Sequence, residues 1–139
     1  MATTFGDIRA AIAANLSATY GTTVQVSPYM LETPSPPTIQ VKGPDDIEYN
    51  ESLGPGLGIW TLIIQGFAGT AFSQGAQSVL DEWVSVNGVK AAVESDRSLG
   101  GIVQDITVER CRHYGMFALP SGLSFLGAEW TASVYVPGS

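Results

Sequence analysis

The stretch LSFLGAEWTASVYV at Leu123–Val136 decides the fold class, because its side chains alternate in character over the whole length. Every second residue from Leu126 to Val136 is apolar, whereas the intervening positions are mixed and include one aromatic residue at each end. Successive side chains of a strand point to opposite faces of a sheet. The stretch therefore predicts a long strand with one core-facing side, and we expect it to lie inside a sheet.

The preceding stretch, ESDRSLGGIVQDITV at Glu94–Val108, predicts a glycine-hinged turn that leads into another strand. Gly100 and Gly101 are adjacent, and glycine is expected where the backbone takes a conformation that a β-carbon disfavours. We expect the strand to run from about Ile102 to Arg112 and to be followed by a loop from Tyr114 to Gly122.

Four further strands are predicted earlier in the chain. Ile59–Phe67 is the most apolar and has two largely apolar faces, which is typical of a central strand covered on both sides. Helices would form one cover, and a neighbouring subunit could form the other. Thr22–Val26 and Thr38–Lys42 predict two shorter strands, and Asp46–Tyr49 an edge strand within the irregular segment Gly43–Gly58.

Helical periodicity marks two segments. Within Thr4–Tyr20 the apolar residues recur every three or four positions, and Gly21 follows where a left-handed cap is expected. Gly69–Val86 has a similar apolar stripe, and Val89–Glu94 predicts one short further turn. The order of elements favours a single α+β domain over residues 1–139, with a mixed, mainly antiparallel sheet and helices on one face.

The composition favours an assembly over a nucleic-acid-binding protein. Of the 139 residues, 45% are hydrophobic and only 14% are charged, and a weakly charged surface is easier to bury against another subunit. A well-packed monomer is the alternative. The formal net charge is −7 and the sequence contains no run of basic residues, which argues against electrostatic binding of nucleic acid phosphates. We see no secretory signal and no apolar run long enough to span a membrane, so we expect a cytoplasmic protein.

The sequence offers little for catalysis. Cys111 and His113 are the only cysteine and histidine, and at this spacing on a strand they would share a face. A local metal pair is geometrically possible there, whereas a packed thiol and a half-exposed ring are the alternative. No hydrolase, nucleotide or dinucleotide motif is present. We therefore expect no enzyme, metal or cofactor. A small ligand-binding or enzymatic α+β domain is the alternative, which a Cys111→Ala, His113→Ala variant would test.

Four stretches together resemble the tail terminator proteins of long-tailed bacteriophages, a family also called minor tail or tail completion proteins. They are the helix Phe5–Ile12 with the strand and proline-rich connector after it, Trp60–Gly66 before a helix, Glu94–Asp105, and the closing Leu126–Val134. The resemblance covers nearly the whole chain in order and length.

This resemblance implies a structural virion protein in the neck region of the tail, assembled in the host cytoplasm. It would form a homohexameric ring that caps the head-proximal end of the tail tube, ends tube polymerisation and offers a head-docking surface. Its partners would be copies of itself, the tail tube protein and a head completion or stopper protein. DNA would pass through the lumen without specific binding, and no membrane or cofactor would be involved. The alternative is a neighbouring neck component, namely a head completion, stopper or adaptor protein.

The predicted interface residues lie in the acidic, glycine-rich segment, at the start of the central strand and in the turn before the strand that begins near Ile102. The doubly apolar Ile59–Phe67 strand is expected to supply one subunit contact. The loop acids are candidates for charge that faces the lumen or the tube, with solvated acids as the alternative. The candidates are Asp45, Asp46, Glu48, Tyr49, Glu51, Leu53, Leu57, Trp60, Asp96, Arg97 and Leu99.

Overall fold

A computed structural model of the chain describes residues 5–21, 23–30, 37–43, 57–70, 74–103, 105–118, 122 and 124–137, with the backbone alone described at 57–59, 136 and 137. Its elements occur in the order α1 (Phe5–Tyr20), β1 (Gln25–Ser27), β2 (Thr38–Gly43), β3 (Leu57–Thr70), α2 (Gln74–Val84), α3 (Val89–Val93), β4 (Asp105–Ala118) and β5 (Ser124–Pro137). None of the helices in these ranges combines the length and apolar character that a membrane crossing needs.

The five strands form one sheet in the order β1-β2-β3-β5-β4. β1 and β2 are parallel, and the other three pairs are antiparallel. The α+β class and the mixed, mainly antiparallel sheet are therefore confirmed, and so are the central place of β3 and the internal place of β5. β3, β5 and β4 are each 14 residues long, so they make up most of the sheet.

The core lies between one face of this sheet and the helices, and we call this side the helix face. It contains the alternating apolar residues of β5 that the sequence predicted, from Ala128 to Val134. Two tryptophans, Trp83 of α2 and Trp130 of β5, meet over Gly66, where an added β-carbon would lie 3.1 Å and 2.9 Å from their rings. The absence of a side chain at Gly66 therefore makes room for both indoles, which are 3% and 2% exposed.

The N-terminal helix matches the prediction closely. Its buried residues follow the predicted stripe, and the list is Ile8, Ile12, Ala13 and Leu16. The helix ends at Gly21, which has a φ of 61° and donates its N–H to the Ser17 carbonyl at 2.8 Å. This is the left-handed cap that glycine forms at little steric cost. Asn15 then holds α1 to α3 by donating its side-chain amide to the Val93 carbonyl at 3.0 Å.

Two predicted boundaries are wrong because strand pairing continues further than periodicity suggested. Gly69 and Thr70 belong to β3, where they pair with Leu126 and Phe125, so α2 begins only at Gln74. A bulge between Phe67 and Gly69 resets the alternation at this end of the strand. β1 also differs from the prediction, since it occupies Gln25–Ser27.

The predicted loop from Tyr114 to Gly122 is wrong in its first half. β4 begins three residues later than predicted, at Asp105, and continues to Ala118. It pairs with β5 across two irregularities, between Val108 and Arg110 and between Arg112 and Gly115. Bulges insert unpaired residues and break the alternation of side chains. The second half of β4 therefore lacks the pattern from which a strand is predicted.

Candidate assembly surface

Most of the predicted interface residues in the acidic segment lie outside the described residues. These are Asp45, Asp46, Glu48, Tyr49, Glu51 and Leu53, together with the predicted edge strand Asp46–Tyr49. The backbone of Leu57 begins β3 and pairs with Pro137. Trp60 is half-buried, and its ring stacks on Phe5 with centroids 4.2 Å apart. Its main contact therefore joins β3 to α1 within the chain.

Asp96 organises the turn between α3 and β4. Its Oδ1 accepts from the Ser98 hydroxyl at 2.9 Å, and its Oδ2 accepts from the Gly100 N–H at 2.9 Å. These two hydrogen bonds hold the pKa of Asp96 below its ordinary value, since they favour the charged form. Asn15 reaches the same turn by donating to the Asp96 carbonyl at 3.2 Å. The turn is therefore shaped by its own polar groups.

Arg97 connects this turn to β4. Its Nε donates to Asp105 Oδ1 at 2.8 Å, while Nη2 donates to Asp105 Oδ2 at 3.1 Å and to the Thr107 hydroxyl at 3.0 Å. The guanidinium hydrogen bond lowers the pKa of Asp105, and the same contact raises the pKa of Arg97. Arg97 is exposed, but its hydrogen-bonding groups are directed at its own chain.

Leu99 occupies the core instead of the surface, because its side chain is only 3% exposed. Its φ of 50° lies in the left-handed region, which is uncommon for a residue other than glycine. Gly100 and Gly101 follow with φ values of 75° and 94°, which confirms the predicted glycine hinge. An interface role for Leu99 would therefore require the turn to open.

Glu94 and Lys90 of the α3 region cover part of the outer edge of β4. The Val108 N–H donates to Glu94 Oε2 at 2.7 Å, and Lys90 Nζ donates to the same oxygen at 2.7 Å and to the Val108 carbonyl at 3.1 Å. Burial opposes ionisation of Glu94, but the hydrogen bonds outweigh it and lower its pKa. Both backbone groups of Val108 are therefore satisfied by side chains, which protects the edge of β4 at this residue.

Side chains of the chain itself cover the other face of the sheet, which we call the open face because no helix packs there among the described residues. A polar row crosses three strands: Gln40 donates to Gln65 at 3.0 Å, and Gln65 donates to Glu129 at 2.7 Å. Glu129 also lies 3.7 Å from both Lys42 Nζ and His113 Nε2.

The second face of β3 is partly covered by the chain itself, and a subunit contact on this face stays a prediction. Side chains on the open face, including Ile63 and Phe67, are 4% and 1% exposed in the single chain. Sequence reasoning missed the polar row, although Gln65 within an apolar strand and Glu129 within an alternating one were its signals. Because buried amides and carboxylates need specific partners, the row fixes the relative positions of β2, β3 and β5.

The exposed half of β4 is where the structure leaves surface available to a partner. β4 is an edge strand of the sheet, and residues 109–114 are all exposed. Among the described residues, no strand pairs with its outer side. Of the five exposed large apolar side chains in the described ranges, Tyr114 and Met116 lie on this strand and Val86 lies beside it. Long exposed edges of this kind are templates for pairing with another chain.

The second bulge corrects the expectation that Cys111 and His113 share a face. Cys111 pairs with Trp130 on the helix face, whereas His113 lies within the bulge at a φ of 58° and its Nε2 faces Glu129 on the open face. The two side chains therefore diverge. No group of three or more potential metal ligands occurs among the residues that the structure describes.

A cavity of about 510 Å³ adjoins Cys111 on the helix face. Its walls come from the end of α2 and the residues after it, from α3, from β4 and from β5, and they include Val84, Val86, Lys90, Val108 and Trp130. Although Cys111 is exposed as a residue, partial burial of its thiol raises its pKa. The thiol is therefore mainly protonated at neutral pH, which does not favour a nucleophile.

The chain matches no protein-family model and no curated protein. Function is therefore inferred from the surface of the molecule and from the sequence resemblance.

Proposed function

We propose that this protein is a tail terminator of a long-tailed bacteriophage. Copies of the chain form a ring, six-membered by the resemblance, on the head-proximal end of the tail tube. The ring ends tube polymerisation and presents its other side to a head completion or stopper protein. Its work is steric, since it occupies the growing end of the tube and leaves a passage for DNA.

The exposed half of β4 is the single observation that supports this proposal most. Arg110, Cys111 and Arg112 lie there on the rim of the sheet, and Tyr114 and Met116 remain 51% and 58% exposed. A large apolar side chain in water forgoes about 1.5–3 kcal/mol of burial free energy. An edge that combines unpaired backbone groups with such side chains favours association with another protein chain.

A ring also requires two different contact surfaces on each subunit, because head-to-tail contacts join unlike sides. β4 offers a surface at one rim of the sheet, while β1 lies at the other rim. The two rims are chemically different. This asymmetry suits a closed ring better than a twofold dimer.

Tube capping tests the proposal directly. The purified protein is added to polymerising tail tube protein of the same phage, and tube length and ends are measured by negative-stain electron microscopy. We expect shorter tubes with a ring at one end, and a ring mass in native mass spectrometry of the protein alone or on the tube. A protein that stays monomeric while tubes elongate unchanged overturns the proposal.

Binding to the head-completion protein distinguishes the neighbouring neck components. A terminator binds tube protein in a pull-down with or without the head-completion protein. A stopper or adaptor instead binds the portal side and leaves tube ends uncovered. If this protein is retained by the head-completion protein but not by tube protein, it is such a neck component and not a terminator.

A further inference from the structure

We propose that Tyr29 and Met30 of one subunit dock into the cavity beside Cys111 of the next subunit, and that this contact closes the ring. The inference rests on the proposed function and identifies the two surfaces that join its subunits. It combines exposed apolar side chains at both rims of the sheet, a tyrosine that its own chain holds in place, and a cavity at the opposite rim.

The exposed large apolar side chains of the described residues form two groups at opposite rims of the sheet. Tyr29 and Met30 follow the edge strand β1 and are 59% and 56% exposed. Val86, Tyr114 and Met116 lie on or beside β4, the other edge strand. Burial of such side chains is favourable, so each group favours a contact with another protein surface. Because the two groups lie at unlike rims, they suit a head-to-tail contact between copies of the chain.

Tyr29 is held in place on the helix side of the sheet. The guanidinium of Arg9 in α1 lies 5.9 Å from the centre of the Tyr29 ring, within the range of a cation–π contact. The Ser27 hydroxyl donates to the Tyr29 carbonyl at 2.7 Å and accepts from the Tyr29 N–H at 3.1 Å. A side chain that is ordered before binding loses less entropy on docking. An exposed tyrosine held in this way is therefore suited to anchor an interface.

The cavity at the β4 rim matches a tyrosine in size and chemistry. Its volume of about 510 Å³ lies within the range of about 300–1,000 Å³ that binding pockets occupy. Val84, Val86 and Trp130 supply apolar walls. Ser85 also lines the cavity, and because its hydroxyl donates to the Glu82 carbonyl at 2.7 Å, its oxygen is available as an acceptor. A tyrosine that buries its ring needs such a partner for its own hydroxyl.

Tyr29 and the cavity lie at nearly the same height along the strands. One row across the sheet consists of Val41, Ile64, Trp130 and Cys111. β1 is parallel to β2 and ends with Ser27 beside Gln40, so Tyr29 follows about one residue beyond this row. Arg9, which contacts the Tyr29 ring, also lies against Gly43 at the end of β2. A rotation about an axis along the strands therefore brings the two surfaces together with little shift along that axis, as a closed ring requires.

The tyrosine that enters the cavity must come from another copy of the chain. β1 and β4 are the two edges of a five-stranded sheet, so they lie four strand spacings apart, about 19 Å. This distance exceeds the length of any side chain. Tyr29 of the same chain therefore does not reach its own cavity across the sheet.

A twofold contact between two β4 edges is disfavoured by charge. Residues that face each other in an antiparallel pair share a face of the sheet, and like charges in such a pair are destabilising. A twofold register centred on Arg110, Cys111 or Arg112 sets an arginine opposite an arginine in every case. The β4 rim is therefore better suited to the β1 rim of a second copy than to another β4 rim.

A mixture of two half-defective variants tests the contact. Tyr29→Asp removes the anchor, whereas Val86→Glu places a charge in the exposed wall of the cavity. Both positions are exposed, so circular dichroism should show wild-type folding. In native mass spectrometry each variant alone should be monomeric. An equimolar mixture should give a dimer with one copy of each variant and no ring, because only one intact pair of surfaces remains. The control Ala18→Glu, at an exposed position of α1, should form the wild-type ring.

The other outcomes overturn the inference. A ring from either variant alone, a mixture without the mixed dimer, or a monomeric Ala18→Glu control shows that this contact does not join the subunits. If the wild type assembles only on tubes, the variants and their mixture are scored for rings at tube ends, where none is expected and any ring overturns the contact. A wild-type protein that stays monomeric even on tubes overturns the proposed function as well. If wild type and Tyr29→Asp both form rings and cap tubes, the function stands and the contact is wrong.

Disulfide trapping with the one native cysteine tests the same contact by proximity. Tyr29→Cys and Met30→Cys are treated with diamide, which takes up two hydrogens as two thiols form a disulfide. We expect at least one variant to give a ladder of covalent oligomers beyond the dimer on a non-reducing gel, since each copy then carries one thiol at each rim. The ladder should disappear when Cys111→Ser is added, and the exposed Thr19→Cys should give none.

Three results of the trapping experiment contradict the head-to-tail contact. An internal disulfide, seen as a monomer lighter by two hydrogens, would place Tyr29 or Met30 beside the cavity of its own chain. Covalent dimers without higher oligomers would indicate a twofold contact. A ring that forms no disulfide in either variant would show that the subunits meet through other surfaces.

Discussion

Replacement of Glu94 by glutamine tests how the α3 region holds β4. The Glu94 carboxylate is 13% exposed and accepts from Lys90 Nζ and from the Val108 N–H, each at 2.7 Å. Glutamine can still accept the backbone N–H through its amide oxygen, but it loses the charged bond with Lys90. A hydrogen bond to a charged group contributes about 1.5–3 kcal/mol. The Arg97 contact at 3.4 Å adds little, since that guanidinium is half exposed.

We therefore expect Glu94→Gln to lower the free energy of unfolding at pH 7 by about 2 kcal/mol, and Tm by about 7 °C. Urea unfolding followed by tryptophan fluorescence and thermal unfolding by calorimetry give the two values. Lys90→Met removes the other partner. The double variant should lose at least about 1 kcal/mol less than the sum of the single losses, because both changes remove one interaction.

The stability that Glu94→Gln loses relative to wild type depends on pH. The pKa of Glu94 is lower in the folded protein than in the unfolded chain. Its ionised form therefore stabilises the fold above the ordinary glutamate value of about 4.3, and this contribution is lost as pH falls through the lower folded value. The pKa values of Asp96 and Asp105 are also lowered in the folded protein. Both residues are present in wild type and in Glu94→Gln, so their contributions cancel when the two stabilities are compared. The reasoning would be refuted if the free energies of unfolding of wild type and Glu94→Gln differ by less than about 0.5 kcal/mol at pH 7, or if their difference persists in acid.

Two glycine substitutions test backbone requirements. Gly127→Ala would place a β-carbon 2.2 Å from the Gly66 carbonyl oxygen of the neighbouring strand, so we expect a loss of about 2–3 kcal/mol in urea unfolding; the exposed helical Gly75→Ala is the control and should be neutral or stabilising. Gly101→Val forces a β-branched residue to a φ of 94°, which should cost about 1–3 kcal/mol and impair ring assembly. Wild-type melting and assembly of Gly101→Val would show that the hinge does not require glycine.

The sequence by itself determined the elements whose periodicity is long and regular. α1 and β5 were predicted almost to the residue because their apolar stripes run uninterrupted and end at Gly21 and near Pro137. The glycine hinge at Gly100 and Gly101 was predicted from residue type, since few other residues adopt a positive φ. These are local properties, and they give the α+β class.

Only the tertiary structure decided the edge of the sheet and its chemistry. The bulges in β4 separate Cys111 from His113, and the pairing of β3 with β5 extends β3 through Thr70. The polar row through Gln65 and Glu129 joins residues 64 positions apart. Bulges and long-range pairs depend on which strands become neighbours, and periodicity within one segment carries no information about its neighbours. The exposed half of β4 became a candidate assembly surface only once this strand was known to end the sheet.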